Sequence, residues 1–307
     1  MTRVGLADMI SAGPRAVGRY TGTLLTVFVV QSLVAVACML AIAVVLAQAF
    51  SHMPLWDDAV DGDPVALAYC LRYGKASVLA SSGIVFGAIA MWMLISWFLV
   101  GGINGVLAQR PEGRSETARA FGASGASTFL AYARLALCSV PAWLLVFVLF
   151  AVGMKQVAPR FEHALTAAQL LVPLFVAMLP AMLVLHVAWT ITDYARVELT
   201  LRQDTHAPSA VMTYLRSVAY VLRRPRTLVH GALGWLAFAL VTIGYMVLAQ
   251  GHPMYGAEGA VTLFVIRQGV ALARTAIRFG VLGGQLELAK TRPLPPRRVQ
   301  VQASAKS

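Results

Sequence analysis

Apolar residues along this chain come in long unbroken blocks, not in the two-residue alternation of a strand or the single stripe of a surface helix. A helix crossing a hydrocarbon core about 30 Å thick needs roughly 20 such residues. Six blocks reach that length, at about 24–50, 77–107, 127–154, 169–192, 228–250 and 260–288. The pattern predicts an all-α fold, a polytopic bundle of six transmembrane helices forming one domain over 1–288. The first block exceeds the roughly 7–15 residues of a secretion-signal core, so it is expected to be retained. Residues 289–307 read as a basic, disordered tail.

Each outgoing block follows a stretch that mixes apolar residues with arginine. The first, 4–20, ends in Arg15 and Arg19; the second, 118–134, carries Phe121, Phe129, Tyr132 and Arg134. The third, 209–226, has Tyr214, Val218, Val221 and Leu222 before Arg223, Arg224 and Arg226. Such stretches suit interfacial helices whose apolar face dips into the headgroup boundary. They suggest three units of interfacial segment, outward span, outer loop and return span. Within the spans, the pairs Gly83/Gly87, Gly101/Gly105 and Gly280/Gly284 sit at the spacing that lets helix backbones approach. Pro173 and Pro180 are expected to kink the fourth span.

Composition strengthens this picture: 59% of residues are hydrophobic, 12% are charged and the mean hydropathy is +0.72, which excludes an ordinary soluble domain. The net charge of +12 suggests nucleic acid only until its location is traced. Seventeen Lys and Arg fall in the N-terminal segment, the second and fourth connections and the tail, which holds Lys290, Arg292, Arg297, Arg298 and Lys306. The other connections hold four, Arg72, Lys75, Lys155 and Arg160, beside Asp57, Asp58, Asp61, Asp63, Glu162 and Glu258. Basic residues resist translocation, so both termini are predicted cytoplasmic. The expected partners are the bilayer and its anionic phospholipids, not nucleic acid. A protein partner or a homo-oligomer stays open.

The candidate chemistry lies in the last span. Arg267, Arg274, Arg278 and Gln285 project within about 40° of one another on a helix. An arginine at the bilayer centre costs about 2.5–3.5 kcal/mol on insertion scales, so this face needs partners or a wet cavity. One reading is an anion- or lipid-headgroup-binding face, because guanidinium grips phosphate and carboxylate bidentately. The other is internal pairing. Glu287 projects to the opposite side of the same helix, which leaves His186, Asp193 and Glu198 of the fourth span as possible polar partners. A proton relay between His186 and Asp193 is less favoured than a hydrogen-bonded histidine, since no third group completes a catalytic set.

No catalytic residue, cofactor or metal set is predicted. There is no Walker loop, nucleophile elbow, zinc-binding helix or calcium loop. The run from Asp57 to Asp63 reads as a solvated turn rather than a cation site. Cys38 and Cys138 fall in apolar runs and read as small buried hydrophobes, and Cys70 lies alone in a polar segment.

Four patches carry a resemblance: Gly101-Gly102 before a basic loop; Phe121-Gly122 through Tyr132-Ala133-Arg134-Leu135; Asp193-Tyr194-Ala195-Arg196-Val197; and Leu272-Ala273-Arg274 through Arg278-Phe279. With this layout the chain resembles a group of uncharacterised bacterial six-helix inner-membrane proteins, distantly similar to the membrane domain of some glycerophosphodiester phosphodiesterases. The resemblance implies a bacterial inner-membrane location and no catalytic residues here, the phosphodiesterase chemistry belonging to a separate soluble domain. The leading expectation is a non-enzymatic accessory, scaffold or envelope-organising membrane protein. The alternative is a transporter or lipid-handling protein whose arginine face binds anionic groups.

Overall fold

The computed structural model describes residues 5–60, 66, 70, 73–161, 167–202, 209–250 and 257–291. Asp61 and Asp63, Arg72, Glu162 and the tail from Arg292 onward, all used in the charge and topology reading, lie outside them. The described residues form helices and no strand: α1 Leu6–Arg19, α2 Thr21–Phe50, α3 Trp56–Val60, α4 Lys75–Gln109, α5 Arg114–Phe161, α6 Ala167–Leu201, α7 Ala210–Leu222, α8 Pro225–Gln250 and α9 Ala257–Thr291.

Five helices are long and apolar enough to cross a membrane, over Thr21–Phe50, Ser82–Gln109, Arg114–Pro159, Val172–Leu201 and Pro225–Ala249. The protein is therefore membrane-embedded. The sixth expected span, α9, equals α4 and α6 in length at 35 residues, but Arg267, Arg274 and Arg278 set it apart in composition. It continues three residues past the expected boundary of the tail, through Ala289, Lys290 and Thr291.

Two of the three expected amphipathic stretches are separate helices. In α1, Asp8 accepts the Gly5 amide at 2.7 Å, closing the first turn, and Met9 and Gly13 face inward. In α7 the inward face is Thr213, Ser217, Tyr220 and Val221. The third stretch, 118–134, differs from expectation: it is the first part of one 48-residue helix, α5. Its inward residues Ala120, Ser124, Thr128 and Tyr132 repeat every four positions and are buried. That stripe packs on α4, where Gly101 abuts Thr128 and Gly105 abuts Ser124, so it is covered by protein rather than by headgroups.

Packing divides the bundle into two zones. At the arginine-rich end, which we term the base, Leu24 and Val27 of α2, Ile103 and Val106 of α4, Val197 of α6 and Phe279 and Leu282 of α9 form one core. Met9, Ile191, Tyr194, Tyr220 and Leu288 form a second, and Tyr132, Leu135, Ala195 and Leu199 a third. Toward the other end the helices are arms with bare apolar faces. Met39 of α2, Phe86 of α4, Phe147 of α5, Leu183 of α6 and Val247 of α8 are each more than half exposed. Surface of that extent belongs in lipid.

The glycine pairs follow this division. Added methyl groups on Gly83 and Gly87, in the arms, would meet nothing within 4 Å. In the base, Gly280 lies against Gly13, so that the backbone of α1 rests directly on α9, and Gly284 lies against Met9 and His230. The cysteines are free. Cys70 is buried, whereas Cys38 and Cys138 are only partly covered, short of the burial expected for them. α6 stays helical through both Pro173 and Pro180.

Candidate functional site

The arginine face of α9 forms one wall of a cleft of about 620 Å³ between α2, α4 and α9. Arg267, Arg274 and Arg278 all line it, spread over about 16 Å of helix axis. The opposite walls are largely apolar, with Phe28, Val36 and Met39 of α2 and Trp92 and Leu99 of α4. Gln31, Ser32, Ser96, Gln268 and Thr275 add neutral polar groups. Two of these already interlock, since Thr275 Oγ1 donates to Gln31 Oε1 at 3.2 Å.

Each arginine is held differently. Arg278 makes the bidentate pair that planar guanidinium favours, Nη1 and Nη2 each 2.5 Å from an oxygen of Asp193. Asp193 is 1% exposed, and Arg196 approaches the same carboxylate at 3.7 Å. The Arg278 guanidinium also lies 5.3 Å from the centre of the Trp189 ring. Arg274 has no acid. Its Nη2 donates to Thr242 Oγ1 at 2.9 Å, its head sits 4.3 Å from the Phe238 ring centre, and its buried Nε has no hydrogen-bond partner. Arg267, the most exposed, donates from Nε to the Tyr245 hydroxyl at 2.8 Å. The resulting order along α9 is an ion pair, then a neutral and aromatic shelf, then a phenol.

A second cavity of about 260 Å³ lies behind this wall, between α6, α8 and α9. Trp189, Asp193, Trp235, Phe238 and Gln285 line it together with Arg274 and Arg278, so these two arginines partition the two spaces. Gln285, placed by its spacing on the arginine face, is 1% exposed and its Oε1 has no hydrogen-bond partner. It reaches the rear cavity, not the cleft.

The other expected partners are engaged elsewhere. His186 Nε2 lies 3.0 Å from the Leu228 carbonyl on α8, and no contact joins it to Asp193 as a relay would require. Glu198, though buried, pairs with Arg202 one turn on and not with α9. Glu287, on the far side of α9, binds Arg110 Nη2 at 2.7 Å. Of the acids expected near the arginine face, then, only Asp193 reaches it. No group of three or more His, Cys, Asp or Glu that would hold a metal occurs among the described residues.

Sequence reasoning did not single out Thr242, Tyr245, Trp235 or Phe238. Their positions, 235, 238, 242 and 245, mark one face of a helix by their spacing. That stripe of rings and hydroxyls, opposite an arginine stripe of matching pitch, was the available signal. Arg196 and Tyr132 were also missed as a unit. The Tyr132 hydroxyl accepts from Asn104 Nδ2 at 3.0 Å, donates to the Arg196 carbonyl at 3.1 Å and lies 2.7 Å from Thr200 Oγ1. This buried knot fixes the backbone that carries Arg196 beside Asp193.

Comparison with known proteins found no matching family model, no matching curated protein and no matching solved structure.

Proposed function

We propose that this is a six-span, multi-pass protein of the bacterial inner membrane, with both termini in the cytoplasm, that binds an anionic amphiphile in the cleft between α2, α4 and α9. The carrying observation is a charge imbalance at one wall: Arg267, Arg274 and Arg278 line the cleft, and among the described residues only Arg278 of these has a carboxylate, which it shares with Arg196. In a low-dielectric setting unbalanced guanidinium is costly, and an incoming phosphate or carboxylate relieves that cost. The apolar walls from α2 and α4 suit acyl chain or another hydrocarbon portion. α9 is then the sixth span, admissible in a membrane because its arginines face the cleft, Thr242, Tyr245 and Asp193.

This reading favours lipid or amphiphile handling over the accessory or scaffold role, and it assigns no catalysis: His186 and Asp193, the nearest approach to a catalytic pair, are each committed to a separate structural bond. Native mass spectrometry of the protein extracted with its lipids tests it. The parent should retain an anionic lipid or amphiphile, and the double variant Arg267→Ala/Arg274→Ala should lose most of it while still unfolding cooperatively. Equal retention by both, or recovery of a stoichiometric protein partner with no bound amphiphile, overturns it.

A further inference from the structure

A separate basic pocket of about 250 Å³ lies where α1, the Tyr20 junction that follows it, the end of α4 and α9 meet. Arg15, Arg19 and Arg110 line it, and Glu287 is its one lining acid. The pocket and the cleft share no lining residue, and Tyr20 of the one and Ile103 of the other belong to the same buried core. Among the described residues, two of its three guanidiniums have no carboxylate closer than 3.9 Å. Arg15 folds back on Ser11 of its own helix, and Arg19 comes no closer than 3.9 Å to the highly exposed Glu112. Of the three, Arg110 has the close carboxylate, Glu287 at 2.7 Å.

Arg110 is also held in a costly backbone state. It is the one non-glycine residue with positive φ among the described residues, at 54°, in the left-handed cap that ends α4. Glycine is the ordinary occupant of that position, and Arg110 carries a charged side chain there into a pocket already containing two other arginines. The surroundings add to the positive field. Lys290 donates to the Leu107 and Ala108 carbonyls beside it.

We propose that this pocket is a phosphate-monoester site in which Arg15, Arg19 and Arg110 bind the phosphate and Glu287 occupies Arg110 until the ligand displaces it. Three guanidiniums against one carboxylate leave a surplus of two positive charges, which matches a monoester of about −1.5 to −2 better than a diester. The volume admits a phosphate with a small polyol, since a water takes about 30 Å³. The same chemistry belongs to a phosphatidate headgroup and to a free phosphate monoester.

Isothermal titration of the full-length protein in neutral detergent tests this with dihexanoyl phosphatidate, glycerol 3-phosphate and dihexanoyl phosphatidylcholine. Both monoesters should bind and the choline lipid should not. In the Arg267→Ala/Arg274→Ala background, which removes the cleft's own amphiphile site, tighter binding of phosphatidate than of glycerol 3-phosphate identifies a lipid site, and equal affinity identifies a site for the free ester; either supports the proposal. Arg110→Gly should weaken monoester binding about tenfold while leaving the melting temperature equal or higher, because glycine suits the cap. Glu287→Gln should tighten binding about threefold by removing the competitor, a sign opposite to that of simple structural damage. Arg19→Ala should weaken binding of glycerol 3-phosphate, which has no acyl chain for the cleft, in a folded protein. Absence of monoester binding, equal binding of the choline lipid, or parental affinity in Arg110→Gly and Glu287→Gln overturns the proposal.

Discussion

The base and the arms of this bundle are built from the same helices under different rules. In the base, α4, α5, α6 and α9 close on one another through glycine, serine, threonine and tyrosine, and buried polar groups such as Tyr132, Thr128 and Asp193 are paired within the protein. In the arms the same helices turn leucine, valine and phenylalanine outward. Lipid supplies no hydrophobic drive between helices, so cohesion there must come from close packing and polar pairing, and both are concentrated in the base. The division places function as well. The cleft opens where the tight base gives way to the looser arms, with Arg278 anchored in the first and Arg267 reaching into the second.

The severest test of this contrast is Asp193→Asn, which keeps the shape and removes the charge that Arg196 and Arg278 share. Breaking a buried pair by deleting one partner costs about 3–5 kcal/mol. Denaturation in mixed micelles should show a loss of that order, and Asp193→Asn/Arg278→Gln should recover part of it. A neutral single variant would mean that the ion pair does not hold the base together.

Almost as large, and better controlled, is a matched pair on α5. Leu135 is fully buried in the base, whereas Leu137, two residues on, is 72% exposed on the lipid side. Leu135→Ala should cost about 2–5 kcal/mol and Leu137→Ala less than about 0.5 kcal/mol, measured in the same micelles. Equal losses would erase the distinction between the zones and imply that the outer face of α5 is covered by protein.

That pair also bears on what the sequence could tell. Helix lengths and the placement of arginine are one-dimensional properties, so five of the six expected apolar spans, and Asp193 as one of three possible partners for the arginine face, were legible from spacing and hydropathy alone. The amphipathic stretch 118–134 was visible too, through Phe121, Phe129 and Tyr132, but composition reveals that a face is covered without revealing by what. It was assigned to headgroups when α4 covers it. The Thr242 and Tyr245 contacts were harder still, because a neutral hydroxyl on an apolar helix carries no mark that distinguishes a guanidinium partner from a self-satisfied side chain. The cleft itself depends on three helices remote in sequence, α2, α4 and α9, and no local pattern encodes that meeting.

Tyr132→Phe sharpens the polar side of the contrast. It removes one oxygen and leaves Asn104 Nδ2 without the acceptor it has in the base. The cost of stranding such a group is about 1–3 kcal/mol, readable as a drop in melting temperature. If the knot also positions Arg196, the variant should lose part of the coupling between Asp193 and Arg278 in a double-mutant cycle, an effect that simple loss of packing would not produce.

The smallest expected effect has the opposite sign. Gly87 lies in the arm of α4, where an added methyl group meets nothing within 4 Å, while Gly105, on the same helix in the base, faces the side chain of Ser124. Glycine inside a helix is less favourable than alanine by about 0.5–1 kcal/mol, chiefly through the entropy it loses on folding. Gly87→Ala should therefore raise the unfolding midpoint slightly, and Gly105→Ala should lower it, because there the methyl group must push α5 away. A gain at both positions would show that α4 and α5 are free to separate in the base as they are in the arms, and the contrast between the zones would then rest on the ion pair alone.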